Sequence, residues 1–281
     1  MTKPLADRGI ATAAVPLPSC GEAGETLGAL HDDVDACRQA IAEADGPVVL
    51  CGHSYGGVII TEAGADDRVT RLMYLTSVMP DTGQSQADLI GSEPAPWLVP
   101  SDDGTVGVDP DMVRKYFLQD CDEVTTEQAL SRLTRQSLTP FTQPPRQIAW
   151  KQKPTTYVVC TEDLATPAEV QRRRVRPGAR VVEFEAGHHP FLSPGCVRAD
   201  NRGRDRPGRV ALRVVSSEPN PVAYGCGCRC RVRWCCRHGR ACSGPNAVFE
   251  AQSLSVGVVG ACRARDGGRR RCSDRPIANR A

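Results

Sequence analysis

The chain has 281 residues, a net charge of +2, 40% hydrophobic residues and only 5% aromatic residues. That length holds one large domain or two small ones, and no apolar run approaches the ~20 residues a membrane span needs. The bland total charge conceals two unlike parts: residues 1–196 carry 17 Lys and Arg against 27 Asp and Glu, whereas residues 197–281 carry 18 Arg, no Lys and 6 acidic residues.

In chain order, Met1 to Arg8 lacks the apolar stretch of a signal peptide. The first six cysteines, Cys20 to Cys196, show no disulfide-like spacing. Cys51 and Cys160 sit in apolar runs and read as small core residues. These features point to a cytoplasmic protein. Leu5 to Cys20 reads as a helix end, a turn at Arg8-Gly9 and a strand over Ile10–Val15, closed by Pro16-Leu17-Pro18. The spacing of Val34, Cys37, Ile41 and Ala44 predicts a helix over Leu30–Ala44, with Asp32 and Asp33 favourably placed in its first turn.

Gly46-Pro47 ends that helix and leads into Val48-Val49-Leu50-Cys51-Gly52-His53-Ser54-Tyr55-Gly56-Gly57-Val58-Ile59-Ile60. A β-branched run meets a Gly-x-Ser-x-Gly turn, and apolar residues follow. This is strand, tight turn, helix, with Ser54 held on a strained backbone that lifts its hydroxyl clear. Gly52 and Gly56 let strand and helix approach closely. The Tyr55 N–H, at the helix start, is a candidate oxyanion donor.

Arg71–Thr76 reads as the next strand. Residues 80–150 are interrupted by Pro80, Pro94, Pro96 and Pro100 and by turns at Gly104 and Gly107, with helices predicted over Asp111–Phe117 and Thr126–Arg135. Their length, with Trp97, Leu98, Phe117 and Phe141, is read as a helical cap over a site, against an ordinary connection. Thr155–Cys160 is a strand entering a loop with Glu162 and Asp163, Pro167 starts a helix, and Arg180–Phe184 is a strand ending near His188-His189. Strands alternating with helices predict an α/β fold with a mainly parallel sheet and flanking helices.

Ser54, Asp163 and His188 each follow a predicted strand, which puts them on loops at one edge of such a sheet. A serine hydroxyl is a weak nucleophile, so His188 would take its proton and Asp163 would orient the imidazolium. His189 competes with His188, and Glu162 with Asp163, and the residues alone leave both choices open. His53 reads as a packing residue and His31 as a surface or helix-start residue.

Gly52-His53-Ser54-Tyr55-Gly56-Gly57, Cys160-Thr161-Glu162-Asp163 with Pro167, and Gly187-His188-His189-Pro190-Phe191-Leu192 together resemble the α/β-hydrolases. The likeness is to the small-ester branch of plant methyl-ester esterases, hydroxynitrile lyases and bacterial relatives, and it covers residues 5–194. The resemblance implies Ser54, Asp163 and His188 as a triad, the order this fold uses, with the Tyr55 N–H in the oxyanion hole. It also implies a small-molecule ester substrate under a cap and no metal or organic cofactor. Ester hydrolysis is the default expectation; a carbon–carbon lyase and a non-catalytic relative are the alternatives. The family's earlier strand, which supplies a second oxyanion N–H, has no counterpart in this sequence. A late start or truncated gene, an exposed strand edge and impaired activity are therefore expected.

The domain is placed at residues 1–195. Residues 196–281 form an Arg- and Cys-rich tail, expected to be disordered. Cys196–Arg209 lacks a helical apolar period where a final helix should pack. Shifting the codons after Gly195 by one nucleotide permits an amphipathic helix, so a frameshift near Gly195 is predicted. The rival is a zinc or nucleic-acid module built on Cys226, Cys228, Cys230, Cys235, Cys236, His238 and Cys242, but these lack the paired C-x2-C of zinc folds. Few aromatics are present for stacking on bases, so a nucleic-acid partner is not expected. Oligomeric state is not encoded in any motif.

Overall fold

A computed structural model describes residues 5, 9–91, 95–193 and, for its backbone, 256–260. The sequence expectations for Cys226–Cys242 and for a frameshift near Gly195 fall outside the described residues.

The main sheet has six strands: β1 (Thr12–Ala14), β3 (Val48–His53), β4 (Val69–Leu75), β8 (Thr155–Cys160), β9 (Arg180–Phe184) and β10 (Val256–Gly260), in the order β1-β10-β3-β4-β8-β9. Strands β3, β4, β8 and β9 pair in parallel, with His53 opposite Leu75 and Leu75 opposite Val158. Their C-terminal ends therefore share one edge. All six residues of β3 are buried, which explains why its sequence is a continuous apolar run and not an alternating one.

Strand β10 pairs antiparallel with both β3 and β1, Val258 lying opposite Leu50 and Ala13. The β3 edge that the sequence reading expected to be bare is thus occupied, by five residues from the arginine-rich tail. This strand escaped prediction because its partner lies about two hundred residues away in the chain, and no local turn announces the pairing.

A smaller antiparallel sheet, β2-β7-β6-β5, comprises β2 (Cys20–Gly21), β5 (Leu98–Pro100), β6 (Thr105–Val108) and β7 (Arg135–Ser137). It was not expected, because strands of two to four residues broken by Pro and Gly carry almost no periodicity.

Helix α1 (Leu30–Ala42) buries Leu30, Val34, Cys37 and Ile41 on one stripe. Helix α2 (Gly56–Ala63) is buried along its whole length. A short α3 (Gln86–Ile90) precedes α4 (Pro110–Tyr116), which starts where Asp109 accepts bonds from the Asp111 and Met112 N–H groups. Helix α5 (Glu123–Leu130) begins earlier and stops sooner than the sequence indicated. Asp122 caps it through the Thr125 N–H, and Arg135 has left for strand β7. A short α6 (Thr139–Thr142) follows, and α7 (Ala168–Arg174) follows β8.

The core between α1, α2 and the sheet contains Leu50, Ile59, Ile60 and Leu72, with Tyr74 and Tyr157 stacked at 6.4 Å. Cys51 and Cys160 are buried, as read from sequence. Among the described residues no helix is long and apolar enough to cross a membrane.

Candidate active site

Strand β3 and helix α2 meet at Ser54, whose φ is +50°. A non-glycine residue there is strained, and several bonds hold the turn in place. The Ser54 N–H donates to the Leu75 carbonyl at 3.2 Å, and the Ser54 carbonyl accepts from the Gly57 N–H at 3.2 Å and the Ser77 hydroxyl at 2.5 Å. A Cβ on Gly52 would stand 2.5 Å from the Gly56 carbonyl oxygen, and one on Gly57 would stand 2.1 Å from that of Val78. Backbone packed this tightly requires glycine at both positions.

Tyr55 precedes α2 with helical dihedrals, so its N–H belongs to the group of helix-start donors that have no intrahelical acceptor. Its phenol donates to Asp33 Oδ2 at 2.7 Å, and Asp33 Oδ1 accepts the Ser19 N–H at 2.8 Å. Burial pushes the Asp33 carboxyl up, and its bonds to Ser19 and Tyr55 only partly offset this. Asp33 therefore ties the elbow to α1, a role its position in the first turn of a helix did not reveal. His31, two residues earlier in α1, faces the buried Glu62 carboxylate at 3.5 Å.

The loop after β8 carries Asp163, which is buried. Its Oδ2 lies 2.8 Å from His188 Nδ1 and also accepts from the Thr76 hydroxyl and, at 3.3 Å, from Gln171 Nε2. The Thr166 N–H donates to Oδ1 at 2.7 Å. Burial pushes this carboxyl up, but the facing His188 and these donors more than offset it, so its pKa lies below the usual aspartate value. Gln171, wholly buried on α7, also bonds both the N–H and the carbonyl of Cys160, fixing the helix to the strand end. Thr76 and Gln171 were not singled out from sequence, because neither residue type marks a site by itself.

His188 is buried, and its Nε2 has no hydrogen-bond partner. It lines a cavity of about 470 Å3 together with Ser54, Tyr55, Thr76 and His189. That volume suits a small molecule. Glu162, the alternative acid, instead offers its carbonyl to Gln119 at 2.8 Å. The wall opposite is apolar: Trp97, Leu98, Phe117 and Phe141 all contribute, and the Phe117 ring meets the His188 ring edge-on at 4.9 Å. Gly187 is pinned by its N–H to Asp120 Oδ2 at 2.7 Å, so the segment between α4 and α5 braces the histidine loop.

His53 is buried, and its Nε2 bonds the His188 carbonyl at 2.7 Å. Burial, then repulsion from His188, lowers its pKa to about 3, so it is neutral and donates that bond. Burial also holds His189 well below the ordinary histidine value. Nitrogens of His53, His188 and His189 lie within 4.8 Å of one another. This trio is the one group among the described residues with metal-ligand chemistry. Its rings pack against each other, centroids 4.8 to 5.2 Å apart, and His188 Nδ1 is already committed to Asp163.

A serine on a strand–turn–helix elbow, beside a buried acid–histidine pair at one edge of a mainly parallel sheet, defines a class of α/β enzyme. The model of the Alpha/beta hydrolase family matches residues 2–200, and the chain belongs to that family. It is 32% identical over 180 residues to the alpha/beta hydrolase nvfD of Aspergillus novofumigatus, covering 58% of this chain and 72% of that one. A pyrethroid hydrolase from Sphingobium faniae superimposes with a TM-score of 0.62 at 25% identity, over 71% of this chain and 87% of that one. The methylesterase MES16 of Arabidopsis shares the fold, with a TM-score of 0.54 at 21% identity over 70% and 87% of the respective chains.

Proposed function

We propose that this protein hydrolyses small carboxylic esters through an acyl-enzyme formed on Ser54. His188 Nε2 takes the Ser54 proton as the hydroxyl attacks the ester carbonyl. Asp163 holds the imidazole by Nδ1 and stabilises the imidazolium, and His188 then protonates the departing alcohol. The Tyr55 N–H donates to the oxyanion. Water, activated by the same histidine, releases the acid.

The observation that carries this reading is the 2.8 Å contact of Asp163 with His188 Nδ1, which leaves the other ring nitrogen unpartnered on the cavity that Ser54 also lines. The pyrethroid hydrolase, named for an ester substrate class, supports hydrolysis as the reaction. Residues 80–150 act as the cap, in keeping with Trp97, Phe117 and Phe141 lining the cavity that Ser54 and His188 also line. Residues 1–195 supply the catalytic side chains, while the domain is not confined to them as the sequence suggested: β10 (Val256–Gly260), from the tail expected to be disordered, completes the sheet beside β3. The reaction takes place in the cytoplasm, in keeping with Cys37, Cys51 and Cys121, none of which is in a disulfide.

The test is p-nitrophenyl acetate and butyrate hydrolysis by the wild type, S54A and H188A, with a cyanohydrin assayed in parallel. Ester turnover lost in both variants supports the reading. Cyanohydrin cleavage without ester turnover would replace it with the lyase reaction.

A further inference from the structure

Four arginines cluster around the end of α7, and three are accounted for. Arg172 pairs with Glu183 at 2.8 Å, Arg173 with Glu169 at 2.5 Å, and Arg176 donates to the Met79 carbonyl at 2.8 Å and to Gln84. Arg174 differs. It is half-buried, it lines the same cavity as Ser54 and His188, and its Nε is buried without a hydrogen-bond partner. Among the described residues no carboxylate stands within ion-pair distance of it.

The rest of the lining sharpens the contrast. Among the described residues the cavity wall contains no aspartate, glutamate or lysine, so Arg174 is its one permanent charge. Gln86 also lines the cavity, and its Oε1 is buried and unpartnered. Tyr157 and then Asp163 act electrostatically on the guanidinium, but the Tyr157 hydroxyl donates to the Ser77 carbonyl and the Asp163 oxygens are taken by His188, Thr76, Thr166 and Gln171. A buried guanidinium donor without an acceptor costs free energy. It is retained at low cost where a ligand supplies the acceptor, and a planar fork of donors matches a carboxylate.

We propose that Arg174 is an anion subsite, and that the substrates are esters bearing a second, free carboxylate: half-esters of short dicarboxylic acids or their analogues. The proposal rests on the ester-hydrolase reading for the reaction and adds the substrate class. The ester carbonyl reacts at Ser54, while the distal carboxylate accepts from Arg174 across a cavity that is mainly apolar and otherwise without a permanent charge. No bond forms or breaks at Arg174; its role is to select and orient.

Two readouts test it. The first is the ratio of kcat/KM for mono-p-nitrophenyl glutarate to that for neutral p-nitrophenyl pentanoate, in the wild type, R174Q and R174K. A ratio of about tenfold or more in the wild type, falling to about one in R174Q and partly restored in R174K, is expected. The second is calorimetric binding of glutaramate and of neutral pentanamide, which involves no attack by Ser54. Tighter binding of the anion by the wild type, lost in R174Q, is expected even if no ester is turned over. In that case the ester-hydrolase reading alone fails. Equal binding of the two amides by the wild type, or an anion preference kept by R174Q of unchanged melting temperature, would overturn the subsite.

Discussion

Asp163 answers to four partners, and only one of them is the histidine. Replacing it with asparagine would leave the shape but offer His188 the wrong hydrogen-bonding face. D163N is expected to lose about 10,000-fold in kcat with KM little changed; steady-state kinetics on p-nitrophenyl butyrate check this. His53 makes a pH prediction of a different kind. Its pKa falls from 6.5 in the unfolded chain to about 3 in the folded one. Between those values the unfolded state binds a proton that the folded state refuses. Stability is therefore whole above pH 6.5 and declines as pH falls, by about 1.4 kcal/mol per pH unit from this residue. H53Q keeps a donor for the His188 carbonyl but cannot titrate. Urea unfolding at pH 7.5, 6.0 and 5.0 is expected to show a shallower loss for H53Q than for the wild type. At this scale much was legible in the sequence: glycines around a serine, an acid after a strand and a histidine after a glycine each announce a constraint. Arg174, Thr76 and Gln171 were not legible, since ordinary polar residues acquire meaning only from what they face.

The elements around the site work as clamps. Gln171 fastens α7 to the end of β8 and to Asp163 through one side chain. Q171L would fill the space yet strip a partner from the Cys160 N–H and from the Thr166 carbonyl, to which Gln171 Nε2 donates at 2.6 Å, at about 1–3 kcal/mol for a buried group. A lowered melting temperature together with a reduced kcat is expected, and an unchanged kcat would show that α7 does not position the acid. At the elbow, the strand and helix are so close that a methyl group cannot enter. G57A, with its new carbon 2.1 Å from the Val78 oxygen, is expected to destabilise by about 1–3 kcal/mol, read by thermal unfolding. The long elements were readable from periodicity. Strands β2, β5, β6 and β7 were not, because each is two to four residues long and exists only through its neighbours.

Across the molecule, the sheet's parallel strands deliver Ser54, Thr76, Asp163 and His188 to one edge from sites spread over 135 positions of sequence. Beyond β3 lies β10, paired on both sides by chain from far away. A proline at its centre, V258P, removes an N–H and clashes with the ladder. It is expected to lower the melting temperature and promote association through the freed β3 edge; light scattering during a thermal ramp detects both. Sequence alone located the parallel strands of this sheet, which alternate with helices, and β1 within the strand read over Ile10–Val15, but missed β10, which sits in a tail of arginines and cysteines without pattern. The central claim is that three distant side chains act as one proton-transfer unit. Its most direct test is labelling with a fluorophosphonate probe followed by peptide mass spectrometry. The wild type should carry the phosphonyl adduct on Ser54, and H188A should carry almost none. An unlabelled wild type, or an adduct formed equally well without His188, would contradict it.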